Sequence, residues 1–282
     1  MSIQQVADAH YRRSQAHAAR VVAAALAVWR EVGPAGWQTE VRRVAGLLAA
    51  GQLVAAVQAA EYLLAVADEQ GMDPASATLV PRALAGTAAN GRELTDILSI
   101  PAQRATALLD GGATAADAAT SGAATLTRIV GNEVVQAGTT GTQIGMVGQQ
   151  QMTGYVRLLQ APSCGRCAVL AGKWFRWNEG FRRHPQCDCV HVPAADTGDA
   201  IALQTNPTAY FNSLSEADQN RLFGASAADA IRGGQSMSRA VATARGSKSG
   251  LAVPPTVERL IADKSRDAAI AALTRSGYLV AA

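Results

Sequence analysis

All four cysteines of this chain fall between positions 164 and 189. They read Cys164-Gly-Arg-Cys167, then sixteen residues, then His184-Pro-Gln-Cys187-Asp-Cys189-Val-His191. This spacing constrains the fold more than any other feature, because a shared ion would close the intervening loop into one small unit. A C-x-x-C turn sets two thiolates on one side of a tight loop, and a second ligand pair some ten to twenty residues away suits tetrahedral zinc. If residues 187–191 form a strand, Cys187, Cys189 and His191 share one face, with Asp188 and Val190 on the other. Six candidate ligands then converge where a structural zinc needs four. The preferred set is Cys164, Cys167, His184 and Cys187, with Cys189 as the substitute. Disulfides, buried thiols packing a small core, and a catalytic cysteine with a histidine base are the competing readings.

Composition narrows the class. The chain has 282 residues, of which 49% are hydrophobic, 5% aromatic and 17% charged. Apolar content this high excludes a typical disordered chain, and glycines without a regular period exclude a collagen-like one. Net charge is +3, too small to require nucleic acid as a partner. The basic character is local. Arg157, Arg166, Lys173, Arg176, Arg182 and Arg183 lie among only two acids, Glu179 and Asp188.

The opening residues MSIQQVADAHYRRSQ carry an acid and no early apolar core, unlike a secretory signal. Residues 44–67 are apolar but interrupted by Gln52, Gln58 and Glu61. They are expected to form a buried helix of a soluble fold, with no membrane contact.

Hydrophobic periodicity predicts a mainly α protein. Helices are expected over residues 4–31, ended by Gly33-Pro34, and over 39–68. Residues 72–92 read as loop. A helix follows to Gly111-Gly112, kinked or split by Pro101. Another spans 114–137, with Gly138 to Gly148 as a glycine-rich connector. The texture changes near residue 150. A strand is expected over 155–159, and five aromatics (Tyr155, Trp174, Phe175, Trp177, Phe181) gather around the cysteines. Beyond Pro193 the chain turns helical again. Ser215 and Asp218 form a capping start, with stops at Gly224 and Gly233-Gly234. Residues 246–255 read as a linker, and 256–273 as a last helix. The expected organisation is a helical bundle over 1–150, a small α+β Cys/His module over 151–195, and a helical arm with a flexible tail over 196–282.

Other residues carry less. His10 and His17 share one face of the first helix and read as surface or interface positions. Trp174 and Trp177 read as the core of the small module, and its arginines as contacts to an acidic partner. No P-loop, dinucleotide fingerprint or G-x-S-x-G elbow is present.

Residues 155–193, YVRLLQAPSCGRCAVLAGKWFRWNEGFRRHPQCDCVHVP, resemble the Mu F-like head morphogenesis family of tailed phages. That family carries a C-x-x-C, a variable middle and a terminal H-P-x-C-x-C. Cys164, Cys167, His184, Pro185, Cys187 and Cys189 occupy those positions. The K-W-F-R-W-N and C-D-C-x-H variants look like proteins of phages that infect actinobacteria, described as minor capsid proteins or capsid maturation proteases. Residues 206–234, NPTAYFNSLSEADQNRLFGASAADAIRGG, are similar to the same proteins. There they lead into a V-V-N-A-R-R-G element, which has decayed here to residues 240–246, AVATARG. The resemblance extends more weakly into the helical N-terminal half.

The resemblance implies a protein of the virion, at the capsid interior or portal vertex, acting in the host cytoplasm during head assembly. Its implied partners are the portal protein, the major capsid or scaffold protein, and packaged DNA. The protease alternative would need His184 or His191 as base and Cys164 or Ser163 as nucleophile. An ejection factor would bind DNA through Arg176, Arg182 and Arg183.

Overall fold

In a computed structural model the described residues are mainly α, with two small antiparallel sheets. The structure describes residues 2–180, 189–195, 206–245 and 255–282. The first element, α1 (Ile3–Glu69), is helical throughout except at Gly33. Ser2 caps it: its Oγ accepts the Gln5 N–H, while Gln5 Oε1 accepts the Ser2 N–H. At Gly33, φ is 63° and ψ is −178°, a region open essentially to glycine alone. Pro34 follows as the first residue of the next turn, where its missing N–H costs nothing. The expected stop is therefore in place, but residues 34–38 are helix rather than loop.

The break folds α1 into an antiparallel hairpin. His17 Nε2 lies 2.8 Å from Gly51 O, Arg13 pairs with Glu61, and the His10 ring stacks on Tyr62 at 4.1 Å. At the turn end Trp29 and Trp37 meet edge to face at 5.0 Å. Trp37 is fully buried and donates its indole N–H to Leu98 O at 2.6 Å. Among the described residues one helix, α1, is long and apolar enough to cross a membrane, and half of that window is buried inside the fold.

A short strand β1 (Ala77–Leu79) and a 3-10 turn (Pro81–Leu84) lead to α2 (Leu94–Asp110) and α3 (Ala115–Gly148). Pro101 neither splits nor ends α2, and it is buried within it. The expected connector at 138–148 is instead the last three turns of α3, and residues 140–149 are all buried. The physical reason is close approach. Gly138, Gly141, Gly145 and Gly148 recur at three and four residues, so they line one side of the helix. A Cβ at Gly148 would stand 2.1 Å from Ala77 O, and one at Gly141 3.1 Å from Ala59 Cβ. Tight contact with α1 and β1 outweighs the roughly 1 kcal/mol that each glycine costs a helix.

The sheet module follows. Strands β2 (Gly154–Leu159), β3 (Trp174–Arg176) and β4 (Cys189–Ala194) form an antiparallel sheet in the order β3-β2-β4, with α4 (Gly165–Leu170) between β2 and β3. Its core runs on into the helices. Val156, Leu158, Val190 and Val192 pack with Val6, Tyr62, Leu63 and Val66. Tyr62 also donates to His191 O at 3.1 Å, and Gln70 bonds both Pro193 O and the Ala195 N–H. Residue 150 thus lies in a tight turn beside a shared core.

Among the described residues beyond β4 are four short helices: α5 (Pro207–Ser213), α6 (Glu216–Phe223), α7 (Ala225–Arg232) and α8 (Met237–Arg245). Ser215 caps α6, Gly224 ends it, and Gly233 ends α7, as the sequence predicts. Tyr210, Phe211, Leu222, Phe223 and Val241 bury Ala168 of α4. Most of the expected linker lies outside the described residues.

The last segment differs from expectation. It contains two helices, α9 (Pro255–Ile261) and α10 (Arg266–Arg275), with Asp263 at positive φ between them and Ser265 capping the second. In place of a flexible end, β5 (Leu279–Ala281) pairs antiparallel with β1, Leu279 opposite Leu79. Val257, Ile261, Leu273 and Leu279 share a core with Ile144 and Val147 of α3. Arg266 bolts this segment to the turn after α3. Its guanidinium donates to Gln149 O and Met152 O, both at 2.6 Å, and lies over the Trp177 ring.

His10 makes the hairpin acid-sensitive. Burial first, and the nearby Arg13 charge second, lower its pKa from 6.5 to about 4. Between those values the unfolded chain holds a proton that the folded chain does not. Stability is therefore full above pH 6.5 and falls as the pH drops toward 4, by up to about 3 kcal/mol. A series of urea midpoints from pH 7 to pH 4 should show this slope, and His10→Phe should flatten it.

Candidate metal centre

Cys164 occupies the N-cap position of α4, and Cys167 lies one turn along. Their Sγ atoms are 3.8 Å apart. Two thiolates held at about 2.3 Å by a tetrahedral zinc would stand about 3.8 Å from each other, so this turn has the spacing of half a zinc site. Its conformation is locked from behind. Ser163 donates its N–H to Tyr210 Oη at 2.6 Å, and Tyr210 donates back to Ser163 O at 2.7 Å. Gly165 fills the first variable position because a Cβ there would meet Phe223 Cδ1 at 2.7 Å.

Cys189 opens β4 opposite Leu159, the last residue of β2. The sheet register therefore brings Cys189 to the end of β2 from which the chain runs to the C-x-x-C turn. The alternation expected for this strand holds where it is described. Val190 points into the shared core, and the His191 ring lies edge-on to Tyr155 on the opposite face at 5.3 Å. His184, Pro185 and Cys187 lie outside the described residues. Among the described residues no three His, Cys, Asp or Glu side chains gather closely enough to hold a metal. Two of the four preferred ligands, Cys164 and Cys167, are thus placed and brought together.

The peptidase candidates fare unequally. Ser163 is fully buried and its Oγ donates to Gln160 O at 2.6 Å. A hydroxyl so engaged is not poised to attack a substrate. His191 is buried, and it lines a small pocket of about 40 Å³ together with Cys189, His10 and Tyr62.

The basic region divides into inside and outside. Arg176 is exposed at the end of β3, and its N–H donates to Glu179. Arg182 and Arg183 lie outside the described residues. Arg157, which the sequence shows only as one charge among six, is 1% exposed. Its guanidinium lies 5.5 Å from the Phe175 ring centroid, and among the described residues its Nε has no hydrogen-bond partner. It borders a cavity of about 670 Å³ that Glu179, Glu258 and Asp263 also line. The available signal was its place at the centre of the apolar run Tyr155-Val-Arg-Leu-Leu, where a charge must be buried. Trp174 and Trp177 pack partly buried against the shared core. His10 and His17 are taken up by Tyr62 and Gly51 within the hairpin.

Comparison of the chain with protein-family models, with curated proteins and with solved structures finds no match.

Proposed function

We propose that this chain is a minor capsid protein of a tailed phage, acting in head assembly near the portal. The observation that carries this reading is the Cys/His pattern over residues 155–193, which resembles the Mu F-like family. The 3.8 Å sulfur spacing at Cys164 and Cys167 agrees with the clamp this pattern implies. The chain's partners in this reading are the portal protein, the major capsid or scaffold protein, and packaged DNA. Its place is the capsid interior or portal vertex, after assembly in the host cytoplasm.

Zinc would be held by Cys164 and Cys167 together with two of His184, Cys187 and Cys189. It would supply no reaction chemistry, only a cross-link that fixes the loop after β3 to α4. The chain's own residues prepare that clamp: Tyr210 holds Ser163, and Phe223 and Val241 press on Gly165. Elemental analysis of the native protein should find one zinc per chain, with its thiols protected until a chelator is added. Absence of metal together with a fast-reacting thiol would remove the clamp from this account and favour cysteine chemistry.

The assembly role is tested by co-expression with the portal protein of the same phage. A complex that co-purifies, and that is lost when Cys164 and Cys167 are changed to Ser, is the expected result. A portal that assembles and purifies without this chain at every ratio would overturn the reading.

A further inference from the structure

The second arm of α1 turns one long face to solvent. Arg43, Leu47, Ala50, Val54, Val57, Glu61, Leu64 and Asp68 are all exposed. Their spacing alternates four and three without a slip, which is the heptad seam of a coiled coil. The apolar members are unusually open for their size, with Leu64 68% and Val54 42% exposed. Leu53 widens the face, and beyond Leu64 it continues into an apolar groove of about 340 Å³ lined by Leu63, Met72, Leu79 and Met152. A stripe of this extent on a lone monomer marks an interaction surface.

The identity of the partner is written in the order of the residues. Read backwards, the stripe repeats its own chemistry with the charges reversed. About the 55–56 peptide bond, Leu47 mirrors Leu64, Val54 mirrors Val57, and Arg43 mirrors Asp68. The remaining pair sets Ala50 against Glu61, whose carboxylate is already turned to Arg13 of its own chain, and Arg43 lies 3.2 Å from Glu40 of its own helix, an exposed contact that Asp68 of the other copy would share. Antiparallel helices pair in this way, so each copy would offer the residue that the other needs. Such self-complementarity is the signature of an isologous two-fold contact. A helix of another protein would not require the stripe to be symmetric.

We propose that the chain forms a two-fold dimer through this face, with the second arms of α1 antiparallel and centred between Ala55 and Ala56. Leu64 of each copy packs beside Leu47 of the other at the mouth of the groove, and two Arg43–Asp68 pairs close the ends. The dimer requires nothing of the Cys/His cluster, so its failure would leave the assembly role untouched.

Sedimentation equilibrium of the full chain over a range of concentrations tests the proposal. A reversible monomer–dimer equilibrium is expected. Val54→Lys should abolish it while leaving the helical spectrum unchanged, and its melting temperature should match that of the wild type at dilutions where the wild type is monomeric, because residue 54 is exposed in the monomer. Arg43→Asp alone and Asp68→Lys alone should each raise the dimer Kd about tenfold, since like charges then face each other. The double swap should restore it, a rescue that only the antiparallel pairing produces. A monomer at all concentrations would overturn the proposal. So would a dimer indifferent to Val54→Lys and to both charge changes, or single charge variants that the swap does not rescue. A chain that stays monomeric and binds the portal protein through Leu64 would overturn it too.

Discussion

Gly148→Ala is expected to lower the unfolding free energy by about 3 kcal/mol or more, which is severe for a change of one methyl group. The added Cβ would lie 2.1 Å from Ala77 O. That carbonyl cannot withdraw easily, because Ala77 is paired with Ala281 and the neighbouring Ser76 N–H donates to Gly148 O. The clash therefore reaches α3, β1 and β5 together. Gly131, on the same helix, is the control. A Cβ there meets only Val22 Cγ2, at an ordinary 3.6 Å. Gly131→Ala should stabilise the chain by about 0.5–1 kcal/mol, the usual gain for removing a glycine from a helix. Urea midpoints of the two variants should move in opposite directions. Equal and small shifts would mean that the last turns of α3 do not lie against β1.

Trp37→Ala should cost about 3–5 kcal/mol, the range for deleting a large buried aromatic. Trp37 is the largest fully buried side chain, and it sits where the α1 hairpin turns. It packs on Trp29 and sends its indole N–H to Leu98 O, so its loss leaves a cavity and removes that bond. Trp37→Phe keeps most of the volume and loses the bond, and should cost about 1–2 kcal/mol. Chemical unfolding followed by far-ultraviolet circular dichroism separates the two. A loss below about 1 kcal/mol for Trp37→Ala would show that the turn end is not packed as described.

The helices were largely legible because their signals are local. Ser215, Gly224 and Gly233 act within a turn of themselves, and each stands where the sequence places it. Gly33-Pro34 was read correctly as the end of a helix, but the hairpin it produces depends on contacts between residues as far apart as His10 and Tyr62. The glycines from 138 to 148 were misread for a related reason. Their intrinsic preference says connector, and only the proximity of Ala55, Ala59 and Ala77 makes them a helix. Strand β5 was invisible because three residues carry no period, and its partner β1 is some two hundred positions away. At the candidate site the closeness of the Cys164 and Cys167 sulfurs was legible from the C-x-x-C spacing, but the Tyr210 and Phe223 contacts that hold the turn were not. Arg157 was not, because composition counts a charge without recording whether it is buried.

The proposed role places this chain in phage heads as a minor component. The most direct test is quantitative mass spectrometry of purified virions of the phage that encodes it, reading both copy number and the N-terminus of the major capsid protein. The chain should be present in DNA-filled heads, at far fewer copies than the major capsid protein. Its absence from the particles, with a trimmed capsid N-terminus that reverts to full length when Cys164 is changed to Ser, would contradict the account and identify a peptidase instead.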